Sequence, residues 1–265
     1  MNPDKNRREK QFKSFAKPSL IKFPTVDKIE YIACGGEHLF AKTTLDEIYG
    51  WGRNDEGQVG VGFLTDKITQ PMFIKLLSYK GIKQIDCGEN YSAAVTIYGD
   101  VHVAGSLEKG KLGLGKGQKR GYQLHFRTID DLPEIDSISC GVEHMLAISR
   151  YDPSNNKLTG KTYAWGKNHK GQLGIGNSTN QFSPVAIGNT KERFKKVSCG
   201  ATFSLGLSHT NRIYFWGNFK YYCSHKVQKN IEEPTIMTQL ETSEVHDISC
   251  SYKYAVAIID KGEIR

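Results

Sequence analysis

Five of the six cysteines stand in one recurring context, which constrains the fold more than any other feature. The segments are Ile32-Ala33-Cys34-Gly35, Ile85-Asp86-Cys87-Gly88, Ile138-Ser139-Cys140-Gly141, Val197-Ser198-Cys199-Gly200 and Ile248-Ser249-Cys250-Ser251, at separations of 53, 53, 59 and 51 residues. A second marker follows: Trp51-Gly52, Ala104-Gly105, Trp165-Gly166 and Trp216-Gly217. It lies 17 residues after the cysteine in units one, two and four, and 25 after it in unit three. A third marker is a glycine-rich turn, Gly57 to Gly62, Gly110 to Gly115 and Gly171 to Gly176. Three markers in one register make the chain an array of like units.

Within a unit the apolar runs are short. In the second they begin at Pro71 to Leu76, then Gly81 to Cys87, Tyr91 to Ile97 and Val101 to Ala104, and the Gly99-Asp100 pair between the last two is a hairpin signal. No stretch keeps a helical period. Four short strands per unit of about 50 residues predict the blade of a β-propeller. A WD repeat would carry Gly-His and Trp-Asp pairs, and a kelch repeat a regular Gly-Gly pair, whereas Gly35-Gly36 occurs once. The expected class is all-β, with about five four-stranded blades. Units start near residues 18, 71, 123, 184 and 234, and residues 1–17 form a basic, disordered tail.

Unit three reads Cys140-Gly141-Val142-Glu143-His144, Ala147, then Tyr163-Ala164-Trp165-Gly166-Lys167-Asn168 and Gly171 to Gly176. Unit one nearly matches it, with Cys34 to His38, Tyr49 to Asn54 and Gly57-Gln58. This pattern resembles the regulator of chromosome condensation repeat family over about residues 18–265. Unit two lacks the Trp, unit four departs at Asn218 to Cys223, and unit five has Ser251 for Gly. The resemblance implies a propeller of typically seven blades and a eukaryotic origin. It implies an interaction module of the kind found in ubiquitin ligases, kinases and ciliary proteins. It also implies the activity of some members, guanine-nucleotide exchange on a Ran-like GTPase at chromatin, in which a loop presses on the nucleotide site and no covalent step occurs. Seven blades of about 50 residues would take about 350. The 265 residues present hold four units and part of a fifth, so the ring is expected to be incomplete or open.

The markers themselves read as structure. Cys34, Cys87, Cys140, Cys199 and Cys250 are expected as small buried groups on inner strands, unpaired because neighbouring blades hold them too far apart to bridge. The Cys-x3-His spacing of Cys34 with His38 and Cys140 with His144 argues against a metal, because the His position is Tyr91, Phe203 and Tyr254 elsewhere. Trp51, Trp165 and Trp216 are expected in the core, with the indole N–H on a backbone acceptor. The Gly110 to Gly117 run lacks the Gly-Lys-Ser/Thr ending of a phosphate loop. No nucleophile, acid–base pair or cofactor motif stands out, so no catalytic residue, cofactor or metal is assigned.

Features that break the repeat carry the functional expectations. Unit three holds eight extra residues in its central hairpin, within 151–161, which nominates Asp152, Asn155, Asn156 and Lys157 as partner contacts. Unit four has an aromatic and basic stretch, nominating Phe219, Tyr221 and Tyr222. Lys109, Lys111, Lys116, Lys119 and Arg120 read as a solvated basic loop. The net charge is +8, and residues 1–28 hold eight basic against three acidic side chains. Lys5, Arg7, Arg8, Lys10 and Lys13 therefore become candidate contacts to nucleic acid or another anionic surface. Hydrophobic residues at 38% suffice for a core and exclude a wholly disordered chain. There is no secretory signal or apolar span, and six unpaired cysteines favour a reducing compartment, cytoplasmic or nuclear. The leading expectation is a non-enzymatic, protein-binding propeller. The alternatives are an exchange factor for a Ran-like GTPase, and a propeller module of a larger ubiquitin ligase or kinase.

Overall fold

The computed structural model describes residues 19–25, 27–115, 120–154, 160–188, 192–218, 230–240 and 244–259. Four antiparallel sheets of four strands follow one another along the chain. The first is β1 (Ile29–Cys34), β2 (His38–Thr43), β3 (Ile48–Asn54) and β4 (Thr65–Phe73). The second is β5 (Ile82–Cys87), β6 (Tyr91–Thr96), β7 (Val101–Ser106) and β8 (Tyr122–Thr128). The third is β9 (Ile135–Cys140), β10 (His144–Ser149), β11 (Thr162–Gly166) and β12 (Gln181–Ala186). The fourth is β13 (Phe194–Cys199), β14 (Phe203–Ser208), β15 (Ile213–Gly217) and β16 (Ile231–Ile236). Among the described residues a fifth sheet has two strands, β17 (Val245–Cys250) and β18 (Ala255–Ile259). Each sheet is a meander of neighbours, the blade that the repeat predicts. A sequence unit and a blade are offset: the proline-led segment that opens a unit, as at Pro71, belongs to the fourth strand of the blade before.

The innermost strands β1, β5, β9, β13 and β17 surround a central shaft, and the cores lie between blades. One core joins Phe40, Ile48, Val59 and Leu77 to Ile82, Ile85 and Ala94 across the first two blades. Second strands such as β6 are buried at all six positions because blades cover both of their faces. Small residues there, Ser92, Ala93 and Ala94, permit that close approach. The Gly99-Asp100 pair forms the expected hairpin, with Gly99 at φ 94° and its N–H on the Thr96 carbonyl.

The Trp-Gly marker has a steric basis. Gly166 sits at φ 98°, and a Cβ there would lie 2.6 Å from the Glu143 carbonyl oxygen, so only glycine fits beside Trp165. Trp165 is wholly buried and gives its Nε1–H to the Lys111 carbonyl at 3.1 Å, one blade back. Trp216 repeats this contact onto the Gln172 carbonyl at 2.8 Å. Trp51 is only half-buried and packs edge-on against Phe23 of the entering segment.

The two ends of the array are uncovered among the described residues. Ile32 is 65% exposed, whereas its counterparts Ile85, Ile138, Val197 and Ile248 are buried. At the other end Val256 and Ile258 alternate along one exposed face of β18, and Tyr254 just before the strand is exposed too. The sheets therefore do not close into a ring.

The cysteines follow the same gradient. All five described thiols are free; Cys87, Cys140 and Cys199 are buried, Cys250 is half-buried and Cys34 is exposed. Burial pushes the thiols of Cys87, Cys140 and Cys199 well up, and that of Cys250 up to about 12. A disulfide reagent at pH 8 is expected to modify Cys34 at least tenfold faster than these four. Loss of that fast phase in Cys34→Ser confirms the order, and equal rates would contradict it.

Candidate partner-binding face

The blades are joined by a repeating set of polar contacts, which fixes where loops emerge. The residue before Cys87, Cys140 and Cys199 accepts the N–H of the next blade's cysteine. Ser139 Oγ takes Cys199 N–H at 3.1 Å, and Ser198 Oγ takes Cys250 N–H at 2.8 Å. Asp86 Oδ2 takes Cys140 N–H at 2.8 Å. Ala33 offers no acceptor, and Asp86 Oδ1 serves the N–H of its own neighbour Cys87 at 2.9 Å.

The histidines are part of the same construction. His144 Nε2 lies 2.9 Å from Ser204 Oγ, which itself donates to the Gln172 carbonyl at 2.9 Å. His38 meets Ser92 at 2.8 Å, and Ser92 donates to the Gln58 carbonyl. Because each serine proton is committed, each histidine donates from Nε2, and Nδ1 is left as a bare, buried acceptor. Burial lowers His38 to about 4 and His144 to about 3, so both are neutral at pH 7. Tyr91 replaces the contact in the second blade by giving its hydroxyl to the Gly141 and His144 carbonyls. No group of three or more His, Cys, Asp or Glu among the described residues could hold a metal.

Lys111 does not belong to a solvated loop. It is 1% exposed and donates to Asn90 Oδ1 at 2.8 Å, in the place that Gln58 and Gln172 fill in neighbouring blades. Burial lowers its pKa, while Glu143, Glu56, Glu108 and Glu89 oppose that shift. The signal lay in the alignment: a position that is Gln twice is a packing position.

At the opposite ends of the strands, the hairpin tips and the loop between the first two blades carry an exposed apolar arc. It comprises Leu45, Tyr79, Ile97, Tyr98 and Tyr151, with Tyr79 66% and Tyr98 68% exposed. Backbone contacts place its members in sequence across three blades. Tyr79 N–H bonds the Asp46 carbonyl at 2.9 Å, and Ile97 N–H bonds the Gly81 carbonyl at 2.8 Å. Arg150 Nη2 donates to the Ile97 carbonyl at 2.7 Å. The Arg193 guanidinium lies 3.7 Å over the Tyr151 ring.

The insertion of unit three leaves this same face. Gly160 N–H closes on the Arg150 carbonyl at 3.1 Å, so the described ends of the insertion meet beside Tyr151. Asp152 accepts from the Ser154 N–H and hydroxyl, contacts that lower its carboxyl pKa. Asn155, Asn156, Lys157, Phe219, Tyr221, Tyr222 and the tail residues Lys5, Arg7, Arg8, Lys10 and Lys13 lie outside the described residues. Sequence reasoning missed Leu45, Tyr79, Ile97 and Tyr98. The available signal was Tyr98, an aromatic beside a Gly-Asp turn where polar residues are the rule.

Residues 4–265 match the family model of the RCC1-like domain. The chain belongs to that family. It is similar to the ultraviolet-B receptor UVR8 of Arabidopsis thaliana, 28% identical over 253 residues, which are 94% of this chain and 55% of UVR8. It is 26% identical over 234 residues to the human E3 ubiquitin-protein ligase HERC2, covering 87% of this chain and 5% of HERC2. Among solved structures, Prp20p of Saccharomyces cerevisiae has the same fold, with a TM-score of 0.75 and 20% identity. That likeness covers 89% of this chain and 57% of Prp20p. The chain thus spans a little over half the length of UVR8 and of Prp20p. No described helix is long and apolar enough to cross a membrane.

Proposed function

We propose that this RCC1-like chain is a protein-binding scaffold that presents its hairpin-tip face to a partner and performs no covalent chemistry. The observation that carries this reading is the set of exposed side chains Leu45, Tyr79, Ile97, Tyr98 and Tyr151, which neighbouring backbone contacts place in sequence on one face beside the insertion. Tyrosines are enriched at interface centres, and exposed apolar groups gathered on one face mark contact sites. On this reading residues 18–265 act as one repeat array inside the cell, in the cytoplasm or nucleus. The 1–17 tail adds salt-sensitive attraction to anionic surfaces through Lys5, Arg7, Arg8, Lys10 and Lys13.

The triple variant Tyr79→Ala, Tyr98→Ala, Tyr151→Ala tests it. These side chains are exposed, so the unfolding free energy should change by only about 1 kcal/mol in total. Capture of the partners that copurify with the wild-type chain should fall at least tenfold. Unchanged capture by the folded variant would reject the face.

A second reading is a guanine-nucleotide exchange factor for a Ran-like GTPase at chromatin. Its support is the fold shared with Prp20p, a protein that binds Gsp1p and histones. In a nucleotide-release assay with a Ran-like GTPase, this reading expects acceleration that is lost on deleting 151–161. No acceleration at micromolar protein would remove it. The likeness to HERC2 supports a third reading, a module within a larger ubiquitin ligase.

A further inference from the structure

The central shaft, open on the side where the ring does not close, offers about 520 Å³ and is lined in part by Tyr31, Gln84, Asp86, Ser139, Ser198 and Ser249. Four of these come from the ring of residues just before the cysteines, Ala33, Asp86, Ser139, Ser198 and Ser249, of which Asp86 alone carries charge. Joining two blades needs only an acceptor, and Ser139 and Ser198 supply it with a neutral hydroxyl. Asp86 supplies two acceptors, one to Cys87 and one to Cys140, and its negative charge is left over.

Nothing described in the protein compensates that charge. Asp86 takes part in none of the ion pairs among the described residues. The titratable groups that sense it are Tyr31 on β1, Cys87 on its own strand, Tyr91 on β6, Cys140 on β9 and Cys199 on β13. All are weak acids that can add only negative charge. The shaft's lysines are engaged elsewhere, Lys196 with Asp247 and Lys195 with Asn211, and Lys83 nearby holds Asp136. Burial accordingly raises the Asp86 carboxyl to about 6.

We propose that the shaft binds a primary ammonium group, held on the Asp86 carboxylate. A divalent metal would need several free anionic oxygens, and of the two carboxylates on this wall, Asp86 and Asp136, the second is already paired with Lys83. A guanidinium binds a carboxylate best through both oxygens at once, and here each oxygen already receives a backbone N–H. An ammonium is a compact donor that can take one remaining lone pair and turn its other protons to nearby oxygens. A free alkylamine and the lysine side chain of a partner share this chemistry.

The test follows the Asp86 ¹³C carboxyl resonance in the labelled full chain, assigned by its loss in Asp86→Ser. That variant keeps the hydroxyl that Ser139 and Ser198 use, so the fold survives, and its unperturbed thermal midpoint verifies this. The ligands are n-butylammonium chloride and a blocked Gly-Gly-Lys-Gly-Gly peptide, each against sodium chloride at equal ionic strength. At pH 7 a saturable shift is expected with at least one ligand. At pH 5 binding should weaken about tenfold, because the ionised fraction of Asp86 falls from about nine-tenths to one-tenth. A response to the amine assigns a small-molecule site, and a response to the peptide alone assigns a side-chain socket. Shifts matched by sodium chloride, or equal binding of either ligand by Asp86→Ser on its backbone amide resonances, would overturn the proposal.

Discussion

Trp165→Ala is expected to lower the unfolding free energy by about 4 kcal/mol, the range of a large aromatic removed from a closed core. Trp165 is buried between the second and third blades, with Tyr91, Leu107, Leu112 and Met145 in the same core. Its loss also strips the Lys111 carbonyl of its donor, a further cost of about 1 kcal/mol. Trp51→Ala is the internal control. That indole is half-buried, with Phe23 beside it rather than a preceding blade, so about half the loss is expected. Urea unfolding of both variants measures the difference. Equal losses would mean that the blade joints contribute no more than the exposed end of the array.

Acid should destabilise the fold well above the range in which ordinary carboxylates titrate. His38 and His144 have folded pKa values of about 4 and about 3, against 6.5 for the free side chain. Between pH 6.5 and 4 the unfolded chain therefore binds more protons, and stability falls as pH falls. Each histidine contributes about 1.4 kcal/mol per pH unit in that window. Asp86 acts in the opposite sense, because its folded pKa of about 6 exceeds 3.8 and the native state binds the extra proton. One histidine is thus offset, leaving from these three groups a net loss of about 1.4 kcal/mol per pH unit between pH 6 and pH 4, to which His102 and His169, also lowered by burial, add in the same sense. Asp55 and Asp247 are held below their usual range, so their contributions are lost at lower pH and leave this window clear. His144→Phe uses the residue that Phe203 places at the same repeat position, and should reduce the slope by about 1.4 kcal/mol per pH unit. A slope unchanged by that substitution would place the acid sensitivity elsewhere.

Much of the fold was legible because a blade is dictated by local chemistry repeated at a fixed spacing. Gly166 announces a positive φ, Trp165 a filled inter-blade slot, and Gly99-Asp100 a hairpin. The polar joints were less legible, because they depend on which residues the closed geometry brings together across more than 50 positions. Asp86 is unremarkable in sequence and becomes the sole charged member of an inner ring only once five strands converge. Lys111 reads as solvated on its charge, although the buried places of Gln58 and Gln172 show that its repeat position faces inward. On the candidate face, the insertion at 151–161 was visible as extra length. The aromatic arc beside it was not, since Tyr79 comes from a loop between blades and Tyr98 from a hairpin tip.

The central claim is that the hairpin-tip face, rather than the glycine-rich-turn face, meets the protein partner. Site-specific photo-cross-linking in cells tests it most directly, with a benzophenone amino acid at Tyr98 or, for comparison, at Phe63, exposed near the glycine-rich turn of the first blade. A discrete protein adduct from position 98, absent or at least tenfold weaker from position 63, is the predicted result. Adducts of equal yield from both positions, or from position 63 alone, would contradict it.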